Sequence, residues 1–218
     1  MQKVPRRLRV PLALVLASLW SSACLAGRPL TVDDANVDEP GAGHVEAWYA
    51  RQTGDTPTWT VAPAYSPWKG VELAAALTRD TAAGLTTGSV QAKFRLTPSV
   101  ENGCNFGATL AASHTRGQGS ATPNATGLMS CNASAGSLHL NLGASRPPGG
   151  PTLPAFGIAW EQDLGGATGH IEWLAQRQSK PTLGLGLRKE VFRNFQIDGS
   201  IGHNGGEALF SLGVKLAF

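Results

Sequence analysis

Apolar and polar residues alternate along most of this chain. In SVQAKFRLT (89–97), Val90, Ala92, Phe94 and Leu96 fall on one side and Gln91, Lys93, Arg95 and Thr97 on the other. The same period of two runs through GVELAAALT (70–78), SLHLNLGAS (137–145), PAFGIAWEQ (154–162), GHIEWLAQ (169–176), PTLGLGLRK (181–189) and NFQIDGSIG (194–202). It ends in FSLGVKLAF (210–218), where Phe210, Leu212, Val214, Leu216 and Phe218 share one face up to the last residue. Alternation over this length is the mark of a strand with two different faces. HVEAWYAR, TWTVAPAY, CNFGATLAAS and GLMSCNAS read as four weaker strands, TWTVAPAY being interrupted by Pro63. The pattern predicts about twelve antiparallel strands, or ten if the weaker ones fail.

The connections alternate too. SPWK, PSVEN, DLGG and EVFRN are short, whereas TAAGLTTG, TRGQGSATPNAT and RPPGGPTLP are mostly longer and richer in small residues. Short turns at one end and longer loops at the other suit an up-and-down barrel. A soluble β-sandwich is the competing fold, with the apolar face inside. Three features favour apolar residues facing outward, into lipid. Charges avoid the apolar positions, as they must where a cation near the bilayer midplane costs about 2–4 kcal/mol. The opposite face is rich in Gly, Ala and Ser rather than Lys and Glu. Aromatics such as Tyr49, Trp59, Tyr65, Trp68, Phe156, Trp160, Phe192, Phe195 and Phe218 sit near strand ends, as in the girdles at membrane boundaries. A sheet in lipid must close on itself. The last strand is therefore expected to pair with the first, with Glu46 and Lys215 both facing inward at the seam.

Composition agrees with this reading. Charged residues make up 15% of the chain, and there are 27 glycines among 218 residues. The net charge of +3 misleads. Lys3, Arg6, Arg7 and Arg9 precede an apolar run from Val10 to Trp20 and a small-residue stretch ending at Ala26. That order predicts a cleaved signal peptide over 1–26. Without its four cations the balance falls to −1, so the basic excess points to export and not to nucleic acid. Residues 27–42 form an acidic lead-in punctuated by proline and glycine, and 43–218 form the barrel. Cys104 and Cys131 share outward parity, and a hairpin turning near Gly117 and Gln118 brings them opposite one another, so a disulfide is expected. The pattern offers no metal or cofactor site.

Parity yields an inward set of chemically active side chains: Glu46, Glu72, Lys93, Arg95, His139, Glu161, His170, Glu172, Arg188, Asp198 and Lys215. The signs nearly balance, which suits cross-strand pairing such as Arg188 with Asp198 and Glu72 with Arg95. A pore selective for one sign of ion would carry one sign of charge. Gly107, Gly143, Gly157, Gly184, Gly186, Gly202 and Gly213 also point inward and are expected to leave room in the lumen. The acids Asp33, Asp34, Asp38 and Glu39 of the lead-in could enter the barrel mouth, meet Lys93 and Arg95, and act as a plug.

FSLGVKLAF resembles the terminal signal that outer-membrane barrels present to the barrel assembly machinery. The opening RPLTVDDANVDEPGAGHVEAWYAR, together with NFQIDGSIG, resembles a family of Gram-negative outer-membrane barrels associated with transport and with the phenol meta-pathway. That resemblance implies an outer-membrane location and passage of a small molecule. With the outward apolar face and the glycine-lined lumen, the chain is read as a barrel in contact with outer-membrane lipid that passes or binds a small solute, apolar or aromatic in character. The resemblance implies no catalytic residues. Two alternatives remain: a lipid-acting barrel enzyme using Ser113 and His114, and a structural or adhesive barrel without transport.

Overall fold

The computed structural model describes residues 30–52 and 57–218, so the signal-peptide reading of 1–26 lies outside the described residues. Twelve strands form one closed antiparallel barrel: β1 (Gly43–Gln52), β2 (Thr58–Trp68), β3 (Val71–Asp80), β4 (Thr86–Arg95), β5 (Gly103–Thr115), β6 (Thr122–Ala133), β7 (Gly136–Ser145), β8 (Leu153–Asp163), β9 (Thr168–Gln176), β10 (Thr182–Phe192), β11 (Phe195–Asn204) and β12 (Glu207–Ala217). Each strand pairs with its neighbours in sequence, and β12 closes on β1. All four weaker segments are strands. Pro63 is accommodated because the β2–β3 pairing passes from Val61 directly to Ala64, skipping the position where proline has no N–H to give.

Closure explains the regular C-terminus. Phe218 donates its N–H to the carbonyl of Gly43 at 2.8 Å, and Gly43 donates back to the carbonyl of Phe218 at 2.9 Å. The last residue thus completes the ladder, which has no free edge.

The apolar faces point outward. Leu142 is 70% exposed and Phe218 63%, and Leu110, Leu185, Ile201 and Leu212 are likewise exposed. A soluble sandwich would bury these residues in a core. The described apolar core is instead a small cluster inside the barrel, made by Leu30, Val32 and Ala159 with Leu174 against them. Two of these come from the lead-in. Leu174 departs from the inward–polar alternation of its strand, and this cluster supplies the reason.

The end that carries both barrel termini has the connections 69–70, 96–102, 134–135, 164–167 and 193–194. Those at the far end include 81–85, 116–121, 146–152, 177–181 and 205–206. The short-and-long pattern holds apart from 96–102 and 205–206. Cys104 and Cys131 are direct ladder partners on β5 and β6 and form a disulfide.

Candidate functional site: a lumen filled by the lead-in

Residues 30–38 contain no regular secondary structure, so their backbone groups need partners elsewhere. The barrel wall provides them. Thr31 and Val32 donate their N–H groups to Glu172 Oε2 at 2.7 and 2.9 Å. Asp33 N–H donates to Asn141 Oδ1 at 2.7 Å, and Asn141 Nδ2 donates to the Asp33 carbonyl at 2.7 Å. Ala35 N–H donates to Ser130 Oγ at 2.8 Å, and Asp38 N–H to Glu72 Oε2 at 3.2 Å. Asn36 Oδ1 accepts from Asn105 Nδ2 at 3.0 Å. The contacts climb from the terminus-bearing rim, where Asp38 lies, to Leu30 at mid-barrel.

Ion pairs hold the acidic side chains. Lys93 Nζ donates to Asp33 Oδ1 at 2.7 Å and lies 3.4 Å from Asp34 Oδ1. Arg95 reaches Glu39 at 3.7 Å. Asp33 is fully buried and Lys93 is 4% exposed, so this pair is desolvated and depends on its geometry. Burial raises the Asp33 carboxyl to about 7 against the pull of Lys93. Asp34 is also penalised by burial, but Lys93 and the Asn36 backbone N–H bring it below the ordinary value. Asp38 is held low by its hydrogen bond from His44, 2.7 Å away. Asp38, His44 and Glu72 place donor atoms within 4.8 Å of one another, a spacing compatible with a metal ion, but the contacts they make in this structure fasten the lead-in.

The remaining inward residues sort into two groups. Glu46 and Lys215 face one another across the seam at 3.6 Å. Ser130 Oγ, already accepting from Ala35, lies 2.8 Å from His139 Nδ1, while His139 Nε2 is 3.3 Å from Glu161 Oε2. Glu161 accepts from the two terminal guanidinium nitrogens of Arg188, one on each carboxylate oxygen. A histidine protonated on Nε2 satisfies every member of this chain, which runs from the lead-in through β6, β7 and β8 to β10. Arg188 therefore reaches past β9 to Glu161. Asp198, its expected partner, is buried at the adjacent ladder position. Arg95 likewise turns to Glu39, leaving Glu72 to hold the Asp38 backbone. His170 is buried against Gly186, where a Cβ would collide with the imidazole.

The inward glycines serve contacts more than open space. A Cβ on Gly157 would stand 2.9 Å from Val32 Cγ2, and one on Gly107 would stand 3.2 Å from the Ala35 carbonyl. Gly184 similarly accommodates Glu172, and Gly143 accommodates Thr126. Sequence reasoning missed His44, Asn105, Ser130 and Asn141. Their inward parity amid small neighbours was the available signal. Ser113 and His114 point to opposite faces, and His114 is exposed on the outside.

The inward wall beyond the lead-in changes character. Thr60 pairs with Thr78, Thr87 with Thr115, Gln176 with Ser145, and Ser200 with Ser211. The inward charges concentrate in the half of the barrel nearest its termini, and hydroxyl and amide groups line the other half.

A family model described as "Uncharacterised conserved protein UCP029691" matches residues 14–209. The chain belongs to this family. No curated protein matches it. Among solved structures, the KdgM porin aligns with TM-score 0.66 and 12% identity over 80% of this chain and 99% of that one. The NanC porin aligns at 0.62 and 6%, covering 79% and 98%. The COG4313 outer membrane channel from Pseudomonas putida F1 aligns at 0.58 and 9%, covering 85% and 98%. At such identities the likeness establishes the barrel fold.

Proposed function

We propose that this protein is an outer-membrane channel for small uncharged solutes, with its own N-terminal segment as a resident plug. The observation that carries this reading is the docking of residues 30–38 inside a barrel whose outer face is apolar. The short turns put the termini on the periplasmic side, so the plug enters from the periplasm and the longer loops face outward. The porin and channel neighbours support a role in passage, as does the resemblance of both chain ends to transport-associated barrels. The terminal FSLGVKLAF, with its five apolar residues exposed, serves the assembly machinery before it closes the wall.

The lining sets the solute class. One KdgM porin structure is a complex with oligogalacturonate, a polyanion. Here the inward cations are already engaged: Lys93 and Arg95 by the lead-in, Arg188 by Glu161, and Lys215 by Glu46. The free half of the wall presents hydroxyls and amides, which suit an uncharged hydrogen-bonding solute better than an apolar or aromatic one.

Reconstitution in planar bilayers and liposomes tests the proposal. The intact protein should conduct weakly, and deletion of residues 28–40 should raise conductance and the entry of neutral sugars more than that of sugar acids. Unchanged permeability after deletion would reject the plug. A barrel without conductance in either form would reject the channel and leave a structural role.

A further inference from the structure

The outward face at the far rim carries five arginines and a histidine at repeated positions. The strands rising from the terminus-bearing end are β1, β3, β5, β7, β9 and β11. At their upper ends, or one residue beyond, they bear Arg51, Arg79, Arg116, Arg146, Arg177 and His203. Each of the six continues the outward parity of its strand, and each is exposed. Three are placed by the final rung of the ladder: the N–H groups of Arg116, Arg146 and Arg177 donate to the carbonyls of Thr86, Pro123 and Pro154 at 2.9, 3.0 and 2.9 Å. Arg79 and Arg116 flank the same residue, Thr86.

Apolar residues lie directly below on the same face, including Leu77, Leu110, Leu142 and Trp173. Aromatic contacts mark the boundary between the two zones. Tyr49 lies 5.1 Å from Trp59 and 6.5 Å from Phe210, and Phe156 lies 5.9 Å from Trp173, measured between ring centroids. Aromatic rings occupy the headgroup level in barrels, so the cations stand at or just above it.

No ion pair among the described residues takes up these arginines; Arg79 bonds only to the Gly84 carbonyl and the Thr86 hydroxyl of its own hairpin. The acids described at this rim, Asp80 and Glu207, have inward parity. The opposite rim has fewer outward cations: there only Lys189, among the described residues, continues the outward parity of its strand, while Lys69 and Arg193 lie in turns and Asp163 and Glu190, like Asp80 and Glu207, have inward parity. Among the described residues the outward positions of the far rim carry basic side chains and no acid, and this belt, continuous with the lipid-facing band, is complementary to an anionic headgroup.

We infer that this belt binds the phosphates of a multiply phosphorylated lipid in the leaflet at the long-loop side. Guanidinium groups suit phosphate because they offer paired donors in a plane. The inference requires the membrane placement above but not solute passage, so the two can fail separately.

Purified full-length protein in neutral detergent is titrated with bis-phosphorylated lipid A, with the same glycolipid lacking both phosphates, and with inorganic phosphate. Bound lipid is counted by native mass spectrometry. The wild type should retain the phosphorylated lipid and discriminate against the dephosphorylated one. R116Q/R146Q/R177Q should weaken binding roughly a hundredfold, at about 1 kcal/mol per cation near an anionic surface. R116K/R146K/R177K, which keeps the charges but loses the planar paired donors, should fall between the wild type and the glutamine variant, and R193Q at the opposite rim should change nothing. Equal affinity for both glycolipids, or unchanged affinity in the triple glutamine variant, would overturn the inference. So would displacement by inorganic phosphate at matched concentration, which would indicate a site for the free ion. Should the triple variant fail to fold, as read by heat-induced gel mobility, R146Q and R177Q alone carry the test, each with a loss of about fivefold.

Discussion

Lys93 Nζ lies 2.7 Å from Asp33 Oδ1, and this contact joins the barrel wall to a segment that is not part of it. Removing one partner of a buried pair strands the other charge, at about 3–5 kcal/mol. Lys93→Met should therefore release the lead-in and raise single-channel open time, with the heat-modifiable barrel intact. Adding Asp33→Asn should recover part of the closed state. A K93M channel as quiet as the wild type would remove this pair from any gating role.

Gly157 and Val32 supply a test without charge. Gly157→Val places branched carbons where Val32 Cγ2 sits, 2.9 Å from the Cβ position. The side chain points into the lumen, so the outer surface is unaltered. Protease cleavage within 30–42 should accelerate, and conductance should approach that of the deletion variant, with Gly157→Ala intermediate. Equal cleavage rates in all three proteins would show that the site tolerates the bulk.

The plug should respond to pH with two opposite signs. Asp38 titrates below the ordinary value of 3.8 when docked, so its contribution is present above that value and is lost as pH falls below it. Asp33 has the opposite sign. With its docked value raised from 3.8 to about 7, its contribution is full below 3.8 and is lost as pH rises through about 7. Conductance should thus be lowest near 3.8, rising as pH falls below that value and again as it climbs toward about 7. Asp38→Asn should flatten the acid side and Asp33→Asn the alkaline side; a profile identical in all three proteins would contradict both assignments.

The Cys104–Cys131 bridge joins residues 27 apart in sequence and already opposed in the ladder, so its effect falls mainly on the unfolded chain. Replacing both with alanine should cost about 3–4 kcal/mol in the loop-entropy account. Thiol labelling of the non-reduced mature protein should find neither cysteine reactive.

Removing Phe218 deletes both hydrogen bonds that tie the last residue to Gly43. Assembly yield in cells should fall, and the surviving protein should unfold at lower temperature. Normal yield and stability would mean that the closing rung contributes little.

The strands and their faces were legible because lipid imposes a local rule. Each outward position such as Leu185 or Val214 must be apolar regardless of what happens elsewhere, and every backbone group must find a neighbouring strand. The acidic lead-in facing Lys93 could also be anticipated, since both charges are visible in the chain. Its path could not. Leu174 read as a lapse in alternation, and Gly107 and Gly157 as spare room, until residues 32 and 35 came to lie beside them.

Read alone, the chain determined its twelve alternating segments, the outward greasy face, the pairing of its cysteines and the inward parity of its charged groups. These follow from contacts between near neighbours and from the solvent on each side. Only the closed structure decided which inward charges meet. Arg188 meets Glu161 two strands away because inward curvature converges the side chains of β8 and β10, and Arg95 meets Glu39 because the lead-in brings that acid to the rim.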